Sequence, residues 1–163
     1  MFAQPHIDLI PLAVLAALLA IAAIGDVRTY LIPNWISIAV VALYPLYVIL
    51  HPQPVDWGAS IVVALGLFGL GFLLHSSGIM GGGDVKLLAA AGLWAGTQYL
   101  IPLLLIMALT GGVLAVVVMI VRRFRVHARR FRARPRRGTG HLPYGVAIAA
   151  GGMTVSALLA VAG

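Results

Sequence analysis

A chain of 163 residues that is 62% hydrophobic and only 9% charged, with a mean hydropathy of +1.07, lacks the polar surface of a water-soluble globule, since soluble domains carry roughly 25% charged residues. There is no Glu and no Cys, and the second absence excludes disulfides and thiolate metal sites. The net charge of +7 is not a diffuse basic surface: nine of the eleven Lys and Arg are Arg between Arg122 and Arg137, with no groove-binding motif beside them to point to nucleic acid.

A bilayer-spanning helix needs ~20 mostly apolar residues. Uncharged stretches of that kind predict six spans, at Leu9–Gly25, Trp35–Leu50, Ala59–Leu74, Leu87–Tyr99, Ile101–Val121 and Leu142–Gly163. No basic segment precedes the first, which is therefore read as a retained span and not a cleavable signal. Ile32-Pro33-Asn34 turns the chain into the second span, where Pro45 predicts a kink. His51-Pro52-Gln53-Pro54 leads to the third, and Gly81-Gly82-Gly83 to the fourth. The fourth is short and interrupted, although Gly92-x-x-x-Gly96 suits close helix packing. Pro102 falls in the first turn of the fifth, where proline is tolerated. Trp35 and Trp57 fit interfacial anchoring. The expectation is one all-α membrane domain over residues 1–163, containing an Arg-rich cytoplasmic loop at 122–141.

Lys and Arg concentrate in cytoplasmic loops. Counting back from the Arg-rich loop puts Arg28 and Lys86 on its side and both termini on the other. The same count divides the four acids: Asp26 and Asp84 lie together near the cytoplasmic face, Asp8 and Asp56 opposite. Insertion of Asp at a span centre costs about 2.5–3.5 kcal/mol, and ionisable residues in spans usually face a wet cavity or a partner. Two facing carboxyls resist joint ionisation and share a proton. The ionised member can take a proton from water while the protonated member hydrogen-bonds a scissile carbonyl. A structural alternative has Asp26 paired with Arg28 and Asp84 paired with Lys86 or capping the fourth span. The glycines before Asp84 permit close approach of another backbone, and Asp84 in place of Lys disfavours a phosphate loop.

Three segments resemble the prepilin peptidases, membrane aspartyl proteases with a G-x-G-D motif. Asp26-Val27-Arg28-Thr29-Tyr30-Leu31-Ile32-Pro33-Asn34 is similar to the family's D-x-(R/K)-x-x-x-I-P-N stretch. Gly81-Gly82-Gly83-Asp84-Val85-Lys86-Leu87 is similar to G-x-G-D-x-K-L, and Leu142-Pro143-Tyr144-Gly145-Val146-Ala147 resembles P-(Y/F)-G-x-A. The resemblance implies a six-helix G-x-G-D aspartyl protease bundle, with Asp26 and Asp84 as catalytic acids. Gly81, Gly82, Gly83, Lys86, Pro33, Asn34, Pro143, Tyr144 and Gly145 become supporting or substrate-binding residues. It further implies a prepilin or pseudopilin substrate, cut at the cytoplasmic face of the bacterial inner membrane between a basic leader and a hydrophobic helix. The connection between the first two spans is about eight residues long and has no Cys. It thus resembles the short form serving Flp-type pili, which implies peptidase without N-methyltransferase activity.

Lys86 is either part of the electrostatics of the pair or a snorkelling interfacial Lys. His75 and His141 fall near the same face but lack metal-ligand spacing, so neither metal nor cofactor is expected. The Arg-rich loop reads as a topology determinant on anionic lipid, where each Arg contributes ~1 kcal/mol. The alternative from another class is a small proton-coupled transporter or channel, which would favour acids at mid-membrane depth. Presenilin-like G-x-G-D proteases usually pair a Y-D motif with G-x-G-D, whereas Gly25 precedes Asp26 here.

Overall fold

The computed structural model describes residues 9–128 and 143–162. They form six helices: α1 (Leu9–Thr29), α2 (Asn34–Leu50), α3 (Trp57–Ser76), α4 (Gly82–Ala95), α5 (Leu100–Ala128) and α6 (Tyr144–Ala162). Four are long and apolar enough to cross a membrane, at Leu9–Thr29, Trp57–Ser76, Leu100–Val121 and Tyr144–Ala162. The 17-residue α2 is at the lower limit and runs through Pro45 without interruption. The chain is an all-α membrane protein.

The fourth predicted span is different. Its 14 residues reach about 21 Å at 1.5 Å per residue, short of a hydrocarbon core of ~30 Å. It is instead the core of the bundle. Val85, Leu87, Leu88, Ala90, Ala91, Leu93, Trp94 and Ala95 are all buried, and α2, α3, α5 and α6 all pack on it. Its predominance of Ala, Leu and Gly gives a slender, apolar rod that neighbours can approach closely. Gly71 of α3 faces Val85, and Gly92 faces the Leu67 side chain. Gly96 lies beyond the helix as its C-cap, at φ 52, yet a Cβ there would meet Ser60 Oγ of α3 at 2.9 Å, so both glycines of the Gly92-x-x-x-Gly96 pair lie close against α3.

α1 packs on α2 and α6, and α6 on α5. Two side-chain hydrogen bonds tie helices together where water is scarce: Ser156 Oγ donates to Leu12 O at 2.9 Å and Trp94 Nε1 donates to Val40 O at 3.0 Å. By contrast α2 and α3 both lean on α4 and scarcely touch each other. Outward faces carry exposed Val62, Leu70, Leu109 and Val113, as lipid-facing helices require. α5 continues to Ala128, so the Arg-rich stretch begins as helix and not as loop. Its remainder, with His141 and Leu142, lies outside the described residues, as does Asp8.

Candidate active site

The end of α1, the start of α4 and the start of α6 converge on Ile32. α1 stops because Tyr30 adopts φ 55 while its N–H still donates to Asp26 O at 2.9 Å. Thr29 Oγ1 donates to Gly25 O at 2.9 Å. A non-glycine residue in the left-handed region is strained and belongs to a tightly determined turn. The turn aims Ile32 back into the bundle, and Pro33 then caps α2 in extended geometry. A Cβ on Gly83 would stand 3.2 Å from Ile32 Cβ and from Ile32 O, and one on Gly145 would stand 2.6 Å from Ile32 Cδ1. Two bare backbones therefore clasp one isoleucine, and each belongs to a helix start.

Asp26 sits in the last turn of α1 and is only 4% exposed. A carboxylate near its own helix's C-terminus faces unfavourable partial charge. The first turn of α6 supplies the opposite: the Gly145 and Val146 amides face the Asp26 carboxyl. Val146 N–H is also directed to Pro143 O at 3.3 Å, and Oδ2 of Asp26 is left buried with no hydrogen bond of ordinary geometry. A Cβ at Gly145 would lie 2.7 Å from that oxygen, so only glycine admits the carboxyl there.

Asp84 is not the N-cap of α4. Gly81 is, and Asp84 is the third helical residue. Its carboxyl reaches back to the Gly81 N–H, the return half of a capping box. A Cβ on Gly81 would meet Asp84 Oδ2 at 2.8 Å. The carboxyl is also within coulombic range of Asp26. The two acids, 58 residues apart by their numbers, thus lie within electrostatic reach of one another, each beside a helix N-terminus. Asp56 is elsewhere: it caps α3, accepting from Ala59 N–H at 3.0 Å.

Lys86 Nζ donates to Asn34 Oδ1 at 2.9 Å, linking the G-x-G-D and I-P-N segments and giving Lys86 a partner other than Asp84. His75 has a place that its sequence context does not declare. Its Nδ1 lies 2.8 Å from Met80 O, and its ring edge lies 3.5–3.6 Å from where a Gly82 Cβ would stand. It thereby pins the turn into Asp84, which passes through Gly78 at φ 74. A histidine six residues before a glycine run is the only signal of this in the sequence.

A model of the type IV leader peptidase family matches residues 13–116, a span that contains both aspartates and ends before α6. No curated relative and no solved structure matches the chain.

Proposed function

The chain belongs to the type IV leader peptidase family, and on that premise we propose that it removes the leader from prepilins or pseudopilins by water activation between Asp26 and Asp84. The observation that supports this reading is the electrostatic reach of Asp26 to Asp84, where α1 ends and α4 and α6 begin. An ionised carboxylate takes a proton from water, whose oxygen attacks the scissile carbonyl carbon. The protonated partner donates to the carbonyl oxygen as it becomes an oxyanion. Collapse of the tetrahedral intermediate breaks the C–N bond, the departing nitrogen receives a proton, and the pair again holds one. Roles belong to the pair and not to either member. Bare backbone at Gly81 to Gly83 suits close approach of an extended cleavage site.

The proposed site is cytoplasmic in a bacterial inner membrane, since Arg28, Lys86 and the Arg-rich stretch would share one face. That stretch would rest on anionic lipid. The short connection between α1 and α2 fits the Flp-type form, with peptidase and no methyltransferase activity. The test is cleavage of a co-expressed prepilin by wild type, Asp26→Asn and Asp84→Asn. Both variants should remain in the membrane and lose cleavage; processing by either one overturns the acid pair.

A further inference from the structure

Lys86 stands at one end of an otherwise apolar groove. The groove, of about 510 Å³, opens between α2 and α3, which both pack on α4 and hardly on each other. Its walls, among them Ile38, Val41, Leu65 and Phe68, are exposed, so in a bilayer it fills from the lipid. We infer that it seats one anionic phospholipid, with the lipid phosphate on the Lys86 ammonium and an acyl chain lying along α4. A two-residue step turns roughly 200° around a helix, so Lys86 and the groove occupy a different face of α4 from Asp84. The inference therefore does not depend on the peptidase reading.

Charge, depth and the order of polarity select this occupant. Lys86 Nζ donates to Asn34 Oδ1 at 2.9 Å, and an ammonium has three N–H groups, so the pair makes a cationic head for the groove with donors to spare. Basic groups between helices at the cytoplasmic side attract anionic headgroups, and Lys86 shares that side with the Arg-rich stretch in the topology proposed above. The three helices line the groove over residues 34–41, 61–68 and 86–93. Seven rises of 1.5 Å make roughly 10 Å, which lies within the ~15 Å that one leaflet contributes to a hydrocarbon core of ~30 Å. The groove thus has the depth of a single leaflet and a charge at one end only. Between head and tail, Ser37 lines the α2 wall one turn below Asn34, and its buried Oγ has no hydrogen-bond partner. That is the depth of the ester carbonyls of a glycerolipid, which can accept from a hydroxyl. Ala89 and Ala90 in the floor leave room for a chain between the larger side chains of the two walls.

Photoactivatable lipids locate the occupant. Phosphatidylglycerol or phosphatidylcholine, each with a diazirine midway along one acyl chain, is added at a low fraction to phosphatidylcholine nanodiscs holding the full chain, and labelled residues are read by peptide mass spectrometry. Phosphatidylglycerol should label Ile38 and Leu65 about fivefold more than phosphatidylcholine does, the ratio that ~1 kcal/mol for one basic residue near an anionic headgroup gives. Leu109, exposed on α5, should show no such preference. Lys86→Gln should abolish the preference at Ile38 and Leu65, and Lys86→Arg should keep it. Ala89→Phe, which fills the floor, should lower labelling of both walls by either lipid and leave Leu109 unchanged. Equal labelling by the two lipids overturns the inference, since the slot then holds bulk lipid. A preference that survives Lys86→Gln also overturns it, since the selection then comes from the Arg-rich stretch. Walls that neither lipid labels mark a groove covered by protein, a second copy or a substrate helix, and overturn it too. No arm reads prepilin cleavage, so the outcome is separate from the fate of the acid pair.

Discussion

At the scale of single residues, the site depends on where side chains are missing. Gly81 and Gly145 each stand where a methyl group would occupy the space of a carboxyl oxygen of Asp84 or Asp26. Gly81→Ala and Gly145→Ala should therefore move an acid without removing it. A displacement of about 1 Å can cost on the order of 10²-fold in rate, so cleavage assays should show that loss in kcat while both proteins still insert. Gly66→Ala, whose Cβ would meet nothing within 4 Å, should cleave normally. His75→Ala should release Met80 O and lower kcat roughly tenfold, with His75→Asn restoring most of it, because an amide N–H can replace the imidazole donor; recovery by Asn in a kinetic assay separates positioning from bulk. The acids themselves are legible in the sequence, since Asp in an apolar chain is costly and the flanking motifs are distinctive. The reach of Asp84 back to Gly81 and the α6 amides facing Asp26 are not legible. They depend on a capping register one turn long and on a contact between segments more than a hundred residues apart.

At the scale of elements, hydrophobic runs and Pro/Gly punctuation make all six helices legible, and α4 is the instructive one. Its shortness is visible in the sequence, but an apolar run does not say whether lipid or protein surrounds it. Burial of nearly all of residues 85–95, with Lys86 exposed and Ala89 half-buried on one face, answers that, and it explains why Ala and Gly dominate where lipid-facing helices carry Leu, Val and Phe. The start of the Arg-rich stretch is helical for a related reason: Arg is a good helix former, and charge alone does not end a helix. Small residues also govern the α5–α6 seam. A Cβ on Gly151 would stand 2.7 Å from Leu103 O, a backbone atom, whereas one on Gly152 would meet Leu19 Cδ1 at the same distance, the tip of a flexible side chain. Gly151→Ala should thus destabilise by about 1–3 kcal/mol through overpacking, and more than Gly152→Ala. Thermal unfolding in detergent compares the two, and equal melting temperatures would contradict the seam described.

At the scale of the whole molecule, four longer helices, α2, α3, α5 and α6, pack on a short, slender one. A lipid-soluble carbene reagent followed by peptide mass spectrometry should label α3 and α5 at Val62, Leu70, Leu109 and Val113, and leave α4 at Leu87 and Ala91 untouched. Labelling of Leu87 at the level of Leu109 would show that α4 is lipid-facing. The arrangement also has a consequence in time. Asp26 enters the membrane early in synthesis, but the amides that face it belong to α6, the last described helix to leave the ribosome. Until then the acid has no α6 beside it and the clasp around Ile32 lacks one of its two glycines. A growing chain therefore carries both aspartates before α6 is made, and cleavage by the proposed pair would wait for that closing helix.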